Sequence, residues 1–297
     1  MRITQGMMSN NMLTNLTKSY ASLNKYMDQL NTGKKINKPS DDPFVAIKSL
    51  DYRSQLAQVE QYKSNASEVH LWMDNSDEAL NSATSALQRL QDLARLAAND
   101  TNSESERKNI AEEAKQIRDD LISVANMKVN DRYIFNGTDT KNPLVETNTD
   151  VNGELTIEIN ENQKPVNINI SENIELQANV DGGKVFGGKF FENINKLVNA
   201  LEDDDQAVIS ESIDTIQENV DAVINERASL GARMNRLDLV ENRLSNQENS
   251  AKNIMSKNEN VDIEVAITNL LTQETMHRAA LSAGARIMQP TLVDFLR

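Results

Sequence analysis

The chain has 297 residues, a formal net charge of −14 and no cysteine. The acidic balance argues against a nucleic-acid partner, since phosphate neutralisation takes concentrated Lys and Arg; the missing thiols exclude disulfides, thiolate metal sites and a Cys nucleophile. Aromatics make up 4% and hydrophobic residues 38%, little for one large globular core but enough for long helical bundles, whose apolar seams are narrow.

Charge is unevenly spread. Residues 1–40 carry Arg2, Lys18, Lys25, Lys34, Lys35 and Lys38 against Asp28 alone, a local balance of +5. A basic leading end on an acidic body suits ordered subunit packing, a membrane surface or a solvated helix face. No apolar run approaches the roughly 18 residues of a transmembrane helix, so membrane insertion is not expected. The start, MRITQGMMSNNMLTNL, lacks the apolar stretch of a cleavable secretory signal.

The first predicted helix carries Leu13, Leu16, Tyr20, Leu23, Met27 and Leu30 at spacings of 3, 4, 3, 4, 3, a coiled-coil seam. It stops at Gly33, and Asp42 with Pro43 reads as the N-cap and first residue of the next helix. From Phe44 to Asn136 there is neither proline nor glycine over 93 residues. An unbroken helix of that length would reach about 140 Å, so a reversal is expected. The polar run NDTNSES supplies it, with Ser103 and Glu106 as a capping box.

Before that break lies a seam of Leu80, Ala83, Leu87, Leu90, Ala94 and Ala97; after it come Ile110, Ala114, Ile117, Leu121 and Val124. Residues 140–188 read differently. Leu155, Ile157 and Ile159 alternate, as do Val166, Ile168 and Ile170, with Asn152–Gly153 a tight turn before them, which predicts a small β-rich insert. Helical spacing returns with Ile209, Ile213, Ile216, Val220 and Val223, continuing through Leu230, Met234, Leu237 and Leu244 with Arg227 and Glu241 as polar interruptions. A last helix over about 261–288 carries Ile263, Ile267, Leu270 and Leu281, and Pro290 ends it.

Several segments imitate chemistry. GKVFGGK (183–189) has phosphate-loop spacing, but Phe190 stands where a magnesium-binding Ser or Thr belongs, so a glycine-rich turn is the better reading. Asn148, Asp150, Asn152 and Gly153 echo a calcium loop whose twelfth position is Ile159 rather than Glu, and a hairpin turn accounts for them. His70 and His277 stand alone on helices, Trp72 beside Met73 reads as packing, and the acidic run 202–205 reads as a helix-start cap. No catalytic, cofactor-binding or metal site is expected, and no enzyme.

Two apolar seams at opposite ends of a chain cannot satisfy themselves alone; their partners are each other and neighbouring copies. LNTGKKINKPSDDP (30–43) resembles the N-terminal signature of the bacterial flagellin superfamily. The resemblance continues in ALNSATSALQRLQDLARLAANDT (79–101), ERASLGARMNRL (226–237) and the last helix. RYIFNGT (132–138), KVFGG (184–188) and the ending QPTLVDFLR are similar to the hook-associated, hook–filament junction branch (FlgL type), and a short flagellin is the alternative.

The resemblance implies a mainly α, elongated helical bundle and coiled coil with a small β-rich inserted domain. Residues 1–42 with 256–297 would form the inner terminal coiled coil, 43–139 with 189–255 the central antiparallel bundle, and 140–188 the outer domain. It further implies type III export without a cleaved signal, an extracellular place in the flagellum, and a chaperone covering Val261 to Arg297 beforehand. Its partners there would be copies of itself, the first hook-associated protein and flagellin. Leu13, Leu16, Tyr20, Leu23, Met27 and Leu30 with Ile263, Ile267, Leu270 and Leu281 are then the assembly seams. Leu80, Leu87, Leu90, Ile117, Leu121, Val220, Leu230 and Leu237 are the bundle core.

Overall fold

The computed structural model describes residues 5–99, 104–149, 155–160 and 164–287. The fold is mainly α, with long helices and small sheets. In chain order it runs α1 (Gln5–Thr32), α2 (Pro43–Ala97), α3 (Glu104–Ala125), β1 (Lys128–Val129), β2 (Arg132–Tyr133), β3 (Val145–Thr149) and β4 (Leu155–Ile159). Then come β5 (Asn167–Ser171), β6 (Ile174–Gln177), α4 (Gly182–Val185), α5 (Phe190–Asp203), α6 (Gln206–Glu259) and α7 (Ile263–Ile287). Among the described residues, no helix is long and apolar enough to cross a membrane. The chain makes two compact units, one from residues up to Gln58 and from Gln247 onward, the other Val59–Asn246.

The core of the second unit sits where the heptad spacing puts it. Leu80, Leu87 and Leu90 of α2, Leu121 of α3, and Leu230 and Leu237 of α6 are fully buried, with Ile117 and Val220 nearly so. Trp72 and Met73 are buried in the same core. α2 and α6 run antiparallel, since Asp77 pairs with Arg227 and Gln91 with Gln217, one number falling as the other rises. The polar interruption Arg227 thus reaches across to Asp77 with two hydrogen bonds of 2.7 and 3.0 Å. The 54 residues of α6 continue through Gly231 without a break.

Helix boundaries follow from their caps. Asp42 accepts from the Phe44 and Val45 amides, and α2 opens on Pro43. Asp205, in the acidic run, accepts from the Ala207 and Val208 amides and so starts α6. The break between α2 and α3 falls in the expected polar run; its capping Ser103 lies outside the described residues.

Among the described residues the strands form three two-stranded antiparallel ladders. In β3–β4, Val145 pairs with Ile159 and Thr147 with Ile157; the Asn152–Gly153 turn and Asp150 lie outside the described residues. In β5–β6, Ile170 and Leu176 are buried while Asn169 and Glu175 face solvent, the alternation of a half-buried ladder. The β1–β2 hairpin turns through Asn130 and Asp131, both at positive φ. Sequence periodicity misses it because two-residue strands are too short to show a period.

RYIFNGT and KVFGG meet in space. Phe135 and Phe186 pack edge to face at 5.1 Å, and Phe186, Phe190 and Phe191 continue the series at 5.4 and 5.0 Å. Gly182 lies so close to the Phe135 carbonyl that a Cβ there would stand 2.2 Å from its oxygen. In the phosphate-loop look-alike, the Gly183 amide donates to its own cap, Asp181. The glycines serve packing.

Candidate assembly surface

α1 and α7 pair antiparallel. Ser19 of α1 meets Gln273 and His277 of α7 at 3.2 Å each, and Gly284 lies against Met12 and Leu16. The less exposed positions of α1 include Met12, Leu16, Ser19, Leu23, Tyr26 and Leu30, beside Ser9, Ser22 and the buried Gln29; those of α7 include Ala266, Leu270, Gln273, His277, Ala280 and Gly284, beside Glu274. Both stripes follow 4, 3, 4, 3, 4 spacing, so each is a heptad seam.

The expected seams are therefore divided. Leu16, Leu23, Leu30 and Leu270 lie in the pair, but Leu13, Tyr20, Met27, Ile263, Ile267 and Leu281 do not. They are 44–59% exposed and turned outward. The reason is size. α7 offers α1 its small face, Ala266, Ala280 and Gly284, where backbones come close: a Cβ on Gly284 would sit 2.9 Å from Met12 Cε. The bulkier columns of both helices are left over, joined by exposed Met7, Met8, Val265, Leu271 and Met276. Together these side chains make an exposed apolar surface on two adjacent helices, a candidate for association.

A second feature anchors the pair. Gly33, at φ +69°, ends α1, and the chain that follows bonds to the α6–α7 turn: the Lys35 amide donates to the Glu259 carbonyl at 2.6 Å and the Val261 amide to the Gly33 carbonyl at 3.0 Å. The Glu259 carboxylate, 6% exposed, accepts from Arg53 Nε and Nη2 at 2.7 and 2.6 Å and lies 3.4 Å from Lys34 Nζ. Asn258 donates to the Val45 carbonyl and Ser49 hydroxyl, fixing the start of α2 to the end of α6. Asp262 caps α7 through the Glu264 and Val265 amides. Sequence reading missed this hub; Arg53, Lys34 and Glu259 are far apart in the chain and carry no motif.

The Arg53 hydrogen bonds hold the Glu259 carboxyl below the usual carboxylate range. Its contribution to folding is therefore complete at neutral pH and fades as pH falls below the ordinary value of 4.5. Arg53→Ala leaves the buried carboxylate with Lys34 alone and should ease local opening by about 2–3 kcal/mol. Glu259→Gln leaves a half-exposed guanidinium that water can solvate and should cost about 1 kcal/mol. Hydrogen exchange of the Lys35 and Val261 amides reads both. Equal effects would show that the carboxylate is not the group that needs a partner.

Comparison with known proteins agrees with this architecture. The model of the bacterial flagellin N-terminal helical region matches residues 3–140, and that of the C-terminal helical region residues 213–296. Flagellar hook-associated protein 3 of Escherichia coli is 24% identical over 306 residues, spanning 95% of this chain and 96% of that protein. A flagellin of Halalkalibacterium halodurans is 26% identical over 92% of this chain and 91% of its own length. The crystal structure of Bacillus cereus FlgL superposes with a TM-score of 0.58 at 22% identity, covering 69% of this chain and 99% of that one, and so shares the fold. Two terminal helical regions matched in order, with the paired end helices between which their chains close, place this protein: it belongs to the bacterial flagellin family.

Proposed function

We propose that the chain is a structural subunit of the bacterial flagellum that joins the hook to the filament, and that it works by assembly, with no catalysis and no cofactor. The observation that carries this reading is the end-to-end match to a flagellar hook-associated protein 3, over nearly the whole of both chains. The outward apolar columns of α1 and α7 supply the physical means. They bury against neighbouring copies, the first hook-associated protein and flagellin, at about 25 cal/mol per Å² before ordering costs.

On this reading residues 1–42 with 256–297 form the terminal coiled coil, 43–139 with 189–255 the central antiparallel bundle, and 140–188 the small β-rich domain. Export through the flagellar type III apparatus delivers the chain unfolded to its extracellular site. Before export a cytoplasmic chaperone covers the helix from Val261 onward, because Ile263, Val265, Ile267 and Leu271 would otherwise drive aggregation.

Deleting the gene tests the reading against the flagellin alternative. A junction subunit's loss leaves hooks without filaments and flagellin in the medium, seen by electron microscopy and by blotting the culture fluid. Loss of a flagellin leaves hooks without filaments and no filament subunits in the medium, which would overturn the proposal.

A further inference from the structure

We propose that His70, Asp238 and Glu241 form a binding site for a divalent transition-metal ion of the Zn2+ class, clamping α2 to α6. His70 projects from α2, and Asp238 and Glu241, three residues apart on α6, present carboxylates on the same face of their helix. One ligand atom from each of the three lies within 4.8 Å of the other two. Modest side-chain rotation closes such a triangle around a cation.

The imidazole is oriented for this task. Its Nε2 stands 3.4 Å from Asp74 Oδ2, one helical turn further along α2. Its Nδ1 is screened from solvent, makes no hydrogen bond, and lies 4.0 Å from Asp238 Oδ1. In the tautomer with its proton on Nε2, beside the Asp74 carboxylate, Nδ1 carries the lone pair on the side of the Asp238 carboxylate. A carboxylate behind the imidazole and a free lone pair in front is the arrangement that fixes the tautomer of a metal-ligating histidine. One imidazole nitrogen with two carboxylate oxygens suits Zn2+ and its neighbours in the first transition row over Mg2+ or Ca2+, which take oxygen ligands alone. The groove that Asp238 and Glu241 share with Lys63, Ser67, Asn242 and Ser245 is open to solvent, which supplies water for the remaining coordination positions.

The site rests on neither the terminal helices nor the assembly reading; it belongs wholly to the unit Val59–Asn246. Titration calorimetry of the purified full-length chain with ZnCl2 tests it, with thermal melting alongside. The expected result is one Zn2+ per chain at micromolar affinity, a raised Tm, and no comparable binding of Ca2+. His70→Gln should weaken binding at least tenfold, and Asp74→Asn, which removes only the group behind the imidazole, by about tenfold. His277→Gln, in the other unit, should leave binding unchanged, and circular dichroism confirms that each variant stays helical. Failure of Zn2+ to bind stoichiometrically, equal binding of Ca2+, or undiminished affinity in His70→Gln would each overturn the proposal. The last two would mark mere counter-ion attraction to an acidic surface.

Discussion

Leu271→Asp is expected to leave the monomer folded and to abolish its incorporation into the flagellum. Leu271 is 56% exposed on α7 and lies outside the seam toward α1, so an Asp there meets water in the free chain. In an interface between subunits the same carboxylate has no partner, and burying it costs several kcal/mol beyond the lost apolar burial. Every added copy meets that cost, so association should weaken by more than about a hundredfold, the equivalent of about 2.7 kcal/mol. Leu13→Asp and Met27→Asp, on the outward column of α1, should behave alike.

Leu23→Asp should differ in kind. Leu23 sits in the α1–α7 seam, so its replacement loosens the helix pair in the monomer as well as stopping assembly. Circular dichroism melting of each purified variant, beside blots of purified hooks from cells expressing it, separates the two classes. Full filaments in Leu271→Asp cells would show that the outward column is not an interface.

The second large effect is expected at Phe186. Its ring is fully buried and packs edge to face on both Phe135 and Phe190. Phe186→Ala removes the ring from the middle of that series and should destabilise the unit by about 3–5 kcal/mol, the usual cost of a large cavity. Phe186→Leu retains much of the volume and should cost under about 2 kcal/mol. Gly182→Val tests the same junction from the other side, since its Cβ would stand 2.2 Å from the Phe135 carbonyl oxygen. Urea unfolding followed at 222 nm measures all three. A small loss in Phe186→Ala would mean that RYIFNGT and KVFGG are not held together by this contact.

The long helices were legible because a bundle core writes itself as a heptad: Leu80, Leu87, Leu90, Leu230 and Leu237 fall at helical spacing and are buried. Caps were legible for the same local reason, as Asp42 with Pro43 shows. On α1 the expected seam divides: Leu16, Leu23 and Leu30 face α7, whereas Leu13, Tyr20 and Met27 stay exposed in the single chain. Beside Leu16, Leu23 and Leu30, the column covered within the chain passes through Met12, Ser19 and Tyr26 rather than through the more apolar Leu13, Tyr20 and Met27. Periodicity measures apolarity, whereas antiparallel pairing here follows closeness of approach, which Ala266, Ala280 and Gly284 permit. A helix pair that packs through its small residues will mislead any reading that assumes the larger apolar side chains are satisfied within their own chain. The Glu259 hub was invisible for another reason: ion pairs across more than two hundred residues leave no local trace.

The central claim is that the large apolar columns of α1 and α7 face outward in the single chain and become covered only between copies. The chain has no cysteine, so one introduced at Leu271 reports alone. Its maleimide labelling rate should be compared between the purified monomer and isolated hook–filament junctions, with Leu80→Cys as the buried reference. The account predicts fast labelling of Leu271→Cys in the monomer and strong protection in the junction. Labelling as slow as Leu80→Cys in the monomer, or equally fast in both states, would contradict it.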